Sequence, residues 1–234
     1  MIHQLPSSMP SKARIAFKEN ANDIERLIEL HTDTGGMAKG RRFGLEVLNK
    51  SAIVLLTSFW EAYCEDIAAE ALEHIVIHAP SAEKLPEELR KLIARELKQD
   101  PHELAVWRVA DGGWRAVLKA RLELMQMSRN RKLNSPKSGN IDQLFQTALG
   151  IPCVSDKWRW KRIPPDKARI KLDYYVELRG AIAHRGSASS SVTKHDVTDY
   201  FWFLKRLVAR TGGTVRAQVW EITQTHLWNS DETE

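Results

Sequence analysis

An arginine and a histidine stand five positions apart in the segment RGAIAH, as Arg179 and His184. Arginine keeps its charge and binds phosphate oxygens through a bidentate fork, whereas histidine exchanges a proton near neutral pH. On RNA, the imidazole could activate the 2'-hydroxyl or protonate the leaving oxygen, while the guanidinium stabilises the added negative charge. Chemistry of this kind requires no metal ion.

The spacing of this pair limits how the two groups can meet. Five residues on an ideal helix turn the second side chain by about 140° from the first, so Arg179 and His184 do not share a face. They can converge if the helix ends at the histidine, as the following RGSASSS indicates, or if two copies of the helix face each other across a dimer axis. A structural alternative is a surface arginine and a histidine favoured at a helix end by the dipole.

A basic segment with two tryptophans, KWRWKRIPPDKARIK, precedes the pair. Basic side chains hold phosphates and exposed aromatic rings stack on bases, which is typical of single-strand binding. The alternative is that the tryptophans pack into the interior and leave the charges solvated. The predicted RNA-binding residues are Trp158, Arg159, Trp160, Lys161, Arg162 and, beside the histidine, Arg185.

Other kinds of site find little support in the sequence. Cys64 and Cys153 stand outside any metal-ligand spacing, and His74 with His78 lacks further obvious ligands. There is no glycine-rich phosphate loop and no nucleophile elbow. We therefore expect neither a metal nor another cofactor. With no apolar run of membrane-spanning length and no signal peptide, we expect a cytoplasmic protein without membrane contact.

The composition is that of a folded chain with a moderately basic charge. Hydrophobic residues make up 43% of the 234 residues, charged residues make up 28%, and the net charge is +5. That charge favours an anionic partner only slightly.

The elements that must position these residues are predicted to be almost entirely helical. Apolar residues recur at three- and four-residue spacing between clusters of glycine and proline, and alternating runs are nearly absent. The longest run, 42–78, would be the central scaffold, and SGNIDQLFQTALG would be a short helix capped by Asn140 and ended by Gly150. The other predicted helices cover 11–31, 86–98, 111–127, 164–184 and 192–211, with a weaker segment through 228.

Three segments together resemble the HEPN superfamily, specifically its RiboL-PSP-type branch. They are LLTSFWEAYCEDIAAEAL in the long helix, LRGAIAHRG, and VTKHDVTDYFWFLKRLV in the helix after it. The resemblance implies an all-α helical bundle that commonly dimerises. We expect one HEPN-like domain over 1–234, with its core in 11–80 and 164–228 and a helical insertion over 81–163 that carries no recognisable match.

The resemblance also implies a function. Members are metal-independent endoribonucleases, often in toxin, abortive-infection or antiviral-defence settings, with the site at a homodimer interface. By position, Arg179 and His184 match the catalytic pair, and Glu61 in SFWEAYCED would support the site. The implied partners are RNA, a second copy of the chain, and an antitoxin or defence protein.

Two features of the sequence keep alternatives open. Glu61 can instead belong to a polar helix face with Glu65 and Asp66. The residue after the arginine is usually polar in active members, and here it is Gly180. The alternatives are a non-catalytic RNA- or nucleotide-binding module of the same type and a helical, dimeric interaction protein.

Overall fold

The computed structural model describes residues 11–35, 45–127, 135–185 and 191–228, with the side chains of residues 34, 35 and 185 outside the description. In these ranges the chain forms α-helices joined by turns, and its only β-type pairing is a single bridge between Trp160 and Ile163. The predicted all-α class is therefore confirmed. None of the described helices is long and apolar enough to cross a membrane. The helices are α1 (Lys12–Gly35), α2 (Glu46–His78), α3 (Glu87–Gln99), α4 (Gly113–Met127), α5 (Ser138–Leu149), α6 (Pro165–Arg185) and α7 (Lys194–Thr223).

Helix α2 is the central scaffold, as its length predicted. It contacts α1, α4, α5, α6 and α7, and its buried residues cover most of its circumference, apart from an exposed strip that includes Val47 and Leu55. A helix that is apolar all round is one that other elements surround. This explains why the apolar period runs through α2 without a strong polar face. The largest of its fully buried side chains are Ile53, Leu56, Trp60, Ile67, Leu72 and Ile75.

Helix α7 is longer than the sequence predicted, because it continues through Gly212 and Gly213 to Thr223. It begins with a capping box, in which the Thr193 side chain accepts from the backbone N–H of Asp196 and the Asp196 side chain accepts from that of Thr193. A Cβ at Gly212 would lie 2.8 Å from Tyr63 Oη. Gly212 therefore lets α7 approach α2 closely instead of ending the helix.

The middle third is helical and is attached to α6 by polar contacts. Asp173 on α6 accepts hydrogen bonds from the backbone N–H (2.7 Å) and hydroxyl (3.0 Å) of Ser138, at the start of α5. Asn140 lies inside α5 and is not its N-cap, while Gly150 ends the helix in the left-handed region, at φ 68°. That this region is an insertion stays a prediction.

Trp158, predicted to bind RNA, is fully buried. Its ring meets Trp60 edge to face, with 5.9 Å between centroids, and its Nε1 donates to Thr211 Oγ1 at 2.9 Å. A ring in this position has no face available for a base. The prediction for Trp158 is therefore wrong, and the alternative of packing into the interior holds for this residue.

We expect Trp158→Phe to lower the free energy of unfolding by about 1–3 kcal/mol, because it deletes the donor and part of a buried ring. Urea denaturation followed by circular dichroism measures this change. In a cycle with Thr211→Val, the double variant should lose less than the sum of the two single variants. Strict additivity would show that the hydrogen bond does not stabilise the fold.

Candidate active site

Helix α6 is held against α7 just before Arg179. The rings of Tyr175 and Tyr200 stack with 4.1 Å between centroids, and Tyr175 Oη donates to Asp199 Oδ2 at 2.8 Å. Lys171 pairs with the same carboxylate at 2.7 Å. These contacts fix the rotation of α6, and they turn Arg179 towards α2.

Arg179 meets Glu61 there, so two of the three predicted catalytic residues come together. Arg179 Nη2 lies 3.4 Å from Glu61 Oε2, and the side chains are only 21% and 13% exposed. Arg179 Nε is buried and has no hydrogen-bond partner among the described residues. A buried donor without a partner costs about 1–3 kcal/mol. Because Nε has almost no exposed surface, this donor is unsatisfied in the described part of the single chain and is not itself open to a ligand.

The Glu61 carboxyl titrates near neutral pH. Burial raises its pKa to about 7, and Glu65 adds to the rise, although the Arg179 guanidinium acts to lower it. A carboxyl with such a pKa exchanges protons at the pH at which most enzymes work. It also holds its arginine less firmly than a fully ionised carboxylate would. This pair is therefore more typical of a functional site than of a simple structural ion pair.

His184 stays apart from the Arg179–Glu61 pair within one chain. It is exposed on α6, one residue before the helix ends, and its direction differs from that of Arg179 by about 140°. No hydrogen bond or ion pair joins His184 to Arg179 in the described part of the molecule. The fold of one chain therefore does not assemble the complete set of predicted catalytic groups.

Gly180 leaves an open space beside Arg179. A Cβ built at this position has no heavy atom within 4 Å. A glycine inside a helix costs roughly 0.5–1 kcal/mol relative to alanine, and packing does not demand one here. The position could therefore carry a polar side chain.

Three of the predicted RNA-binding residues, Arg159, Lys161 and Arg162, are exposed. The turn that carries them is closed by two hydrogen bonds between the backbones of Trp160 and Ile163, of 3.1 and 3.0 Å, with Arg162 at φ 69°. Their role stays a prediction. This turn precedes α6, so the 21-residue helix separates it from His184 by about 30 Å.

Of the two remaining predicted RNA-binding residues, one is partly buried and the side chain of the other lies outside the described part of the chain. Trp160 is partly buried, with its ring centroid 5.8 Å from that of Phe203. The side chain of Arg185 lies outside the described part of the chain. In the ranges that the structure describes, no three His, Cys, Asp or Glu side chains are grouped as metal ligands would be.

A cavity beside α7 is lined by a group of arginines that were not among the predicted site residues. Arg206, Arg210 and Arg216 follow one another in KRLVARTGGTVR, and Arg14 of α1 joins them. The available signal was the four-residue spacing of Arg206 and Arg210, which places both on one face of a helix, with Arg216 about 120° around the helix from Arg210. It was overlooked because the two glycines were interpreted as the end of that helix.

One comparison with known proteins found a match for this chain. A family model, RiboL-PSP-HEPN, matches residues 16–215 and therefore runs across the middle third as well. No curated protein and no solved structure matches the chain. The resemblance noted from the three sequence segments is thereby confirmed.

We expect Glu61→Gln to flatten the pH dependence of stability between pH 5 and pH 8. Since the pKa of Glu61 is raised from 4.5 to about 7, the folded state binds the extra proton, and stability is lost as pH rises through this window. The variant should be more stable than the parent by up to about 3 kcal/mol at pH 8 and similar at pH 4. Urea midpoints across pH measure this, with the exposed Glu123→Gln as the control. Parallel pH profiles for parent and Glu61→Gln would contradict the assignment.

Proposed function

Because this chain belongs to the RiboL-PSP-HEPN family, we propose that it is a metal-independent endoribonuclease that uses Arg179, His184 and Glu61. The observation that carries the proposal is the partly buried Arg179–Glu61 pair, in which a guanidinium lies beside a carboxyl whose pKa is about 7. Both features suit a site where a phosphate approaches and a proton moves. His184 lies on the same helix and is open to solvent.

The proposed reaction is attack of a ribose 2'-hydroxyl on the neighbouring phosphorus. The His184 imidazole accepts the hydroxyl proton, the 2'-oxygen forms a bond to phosphorus, and the bond from phosphorus to the 5'-oxygen breaks. The departing oxygen takes a proton from a second acid, for which the Glu61 carboxyl is suited by its pKa. Arg179 stabilises the negative charge that builds up on the phosphoryl oxygens. The products are a 2',3'-cyclic phosphate and a free 5'-hydroxyl.

We further propose that two chains form the site together, because one chain keeps His184 away from Arg179. Exposed apolar side chains support an interface at this end of the bundle. Val47 and Leu55 on α2 are 62% and 36% exposed, and Tyr174 on α6 is 53% exposed. A second copy that covered them would bring its own α6 towards the Arg179–Glu61 pair. By family analogy, the activity would serve as a toxin or antiviral-defence effector acting in the cytoplasm, with an antitoxin or defence protein as its partner.

We expect purified protein to cleave single-stranded RNA in EDTA and to leave 2',3'-cyclic phosphate ends. His184→Ala should lower the rate by at least about 100-fold, because it removes the proton acceptor, and Arg179→Lys by a similar factor, because it removes the bidentate fork. Gel analysis of labelled RNA measures both. The exposed His195→Ala is the matched control and should cleave at the parent rate.

If the parent and His184→Ala cleave equally, His184 is not catalytic. The non-catalytic RNA-binding alternative is favoured by one observation, the glycine at position 180. It predicts that the parent binds RNA in a salt-dependent manner without cutting it. Gly180→Asn, for which there is room, would then test whether this glycine alone silences the site.

We expect the protein to sediment as a dimer of the 26.7 kDa chain at micromolar concentration. A chain that carries both Val47→Lys and Leu55→Lys should sediment as a monomer and lose cleavage, because two charges would be buried in the interface. Ile77→Lys, at the other end of α2 and equally exposed, should remain dimeric. A parent protein with the mass of one chain would contradict the shared site.

A further inference from the structure

A second candidate site lies beside α7, on the side of α2 opposite Glu61. A cavity of about 350 Å³ opens between the start of α1, Tyr63 on α2, the second half of α7 and Trp228. Its size is within the range of sites that hold small molecules or single residues of a polymer. We call it the arginine cavity, after the four side chains Arg14, Arg206, Arg210 and Arg216 that line it.

The three arginines that α7 contributes to the arginine cavity have no acidic partner among its lining residues. None of the residues that line it is acidic. In the described ranges, Arg206, Arg210 and Arg216 take part in no ion pair, although ion pairs occur at many other basic side chains. Like charges four residues apart on a helix, such as Arg206 and Arg210, destabilise it by about 0.2–0.5 kcal/mol. An anion in the cavity would reverse this cost.

The backbone that lines the cavity is open at Gly213. Gly212 is explained by its contact with Tyr63, but Gly213 is not, because a Cβ at that position would have no heavy atom within 4 Å. Each glycine inside a helix costs about 1 kcal/mol relative to alanine. Gly213 therefore keeps clear a space between Arg206, Arg210 and Arg216 that a ligand could use.

Aromatic rings border the arginines. Trp160 lines the arginine cavity and also an adjoining depression, in which Arg206 and Trp202 take part. Trp202 is 59% exposed, and Lys205 Nζ lies 4.7 Å from the centre of its ring. Trp160 is partly buried and Trp202 is exposed, so both rings keep some accessible surface beside the arginines. Arginines for phosphates beside accessible aromatic rings for bases are the combination by which proteins hold single-stranded nucleic acid.

We propose that the arginine cavity binds a phosphate-bearing nucleotide unit of single-stranded RNA, with its phosphate on Arg206, Arg210 and Arg216 and its base against Trp160. The RNA identity of the ligand rests on the proposed ribonuclease function, whereas the phosphate site rests on the cavity alone. Helix α7 begins at Lys194, at the end of the helix nearer His184. Arg210 lies 16 residues further along α7, a rise of about 24 Å along the helix axis. Tyr63, which lines the cavity, is two residues from Glu61 on α2 and therefore points to the opposite side of that helix, so the cavity is a docking site separate from the cleavage site.

The test is binding of a labelled 12-nucleotide oligouridine, measured by fluorescence anisotropy on a His184→Ala background so that the RNA stays intact. Gly213→Leu fills the mouth without changing charge, and Arg210→Gln removes one charge. Each should raise Kd at least tenfold, and Arg210→Gln should also reduce the slope of log K against log salt by about 1. Arg95→Gln, at an exposed arginine on α3, is the matched control and should bind like the background protein.

A competition experiment distinguishes a free nucleotide from an RNA strand as the ligand of the cavity. Displacement of the RNA by uridine monophosphate at micromolar concentration would assign the cavity to a free nucleotide, whereas displacement by unlabelled oligouridine alone would assign it to a strand. Both outcomes support a phosphate site. The proposal is overturned if Gly213→Leu and Arg210→Gln both bind like Arg95→Gln. Should Gly213→Leu fail to fold by circular dichroism, the comparison of Arg210→Gln with Arg95→Gln decides alone.

RNA cleavage by proteins that keep His184 tests the docking proposal independently of the ribonuclease proposal. Arg210→Gln should raise KM and leave kcat at the parent value, because the arginine cavity lies far from His184. If the parent does not cleave RNA but Arg210→Gln still weakens binding, the ribonuclease proposal fails and the docking site stands. A kcat that falls with an unchanged KM would contradict docking at this cavity.

Discussion

The parallel contact between α2 and α7 is the constraint on which the rest of the structure depends. Three hydrogen bonds join α2 to α7 or to the residues just before it, and their sequence separation is nearly constant, at 143, 143 and 145 residues. Asn49 donates to the carbonyl of Val192, two residues before α7, the hydroxyls of Thr57 and Tyr200 are hydrogen-bonded to each other at 3.1 Å, and Tyr63 donates to the carbonyl of Val208. A constant offset means that the two helices run side by side in one register. The polar atoms involved are buried, so a shifted register would leave them without partners.

This register leaves arginine side chains in two different surroundings. Tyr175 and Asp199 lock α6 onto α7, which turns Arg179 towards Glu61 on α2, where burial keeps the carboxyl partly protonated at neutral pH. Further along the same pair of helices, the close approach at Gly212 leaves three arginines of α7 around a cavity without an acidic neighbour among its lining residues. Next to Glu61, Arg179 has a carboxylate partner that is only partly ionised at neutral pH. At the cavity, the three arginines of α7 have no acidic side chain among the lining residues. Both would gain from a phosphate.

Local signals explain which expectations held and which did not. The period of apolar residues identified the helices, because burial on one side or on all sides leaves a pattern that neighbouring residues carry themselves. Glycine was the misleading signal, since Gly212 and Gly213 marked a close contact and an open space within a continuous α7. Trp158 was misleading for a related reason. Its basic neighbours are solvated, as their charge requires, but they do not reveal that the ring between them turns inward to Trp60 and Thr211.

The sequence by itself determined the all-helical class, the central position of α2, the family, and the presence of Arg179 and His184 on the penultimate helix. These follow from periodicity and from short motifs, which are local properties of the chain. Only the tertiary structure decided that Glu61 meets Arg179 across 118 residues, that His184 does not join them in one chain, and that Arg14 comes to the arginines of α7. Such meetings depend on which helix faces pack together and at what register. That choice is made by many distant contacts at once, so no single stretch of residues records it.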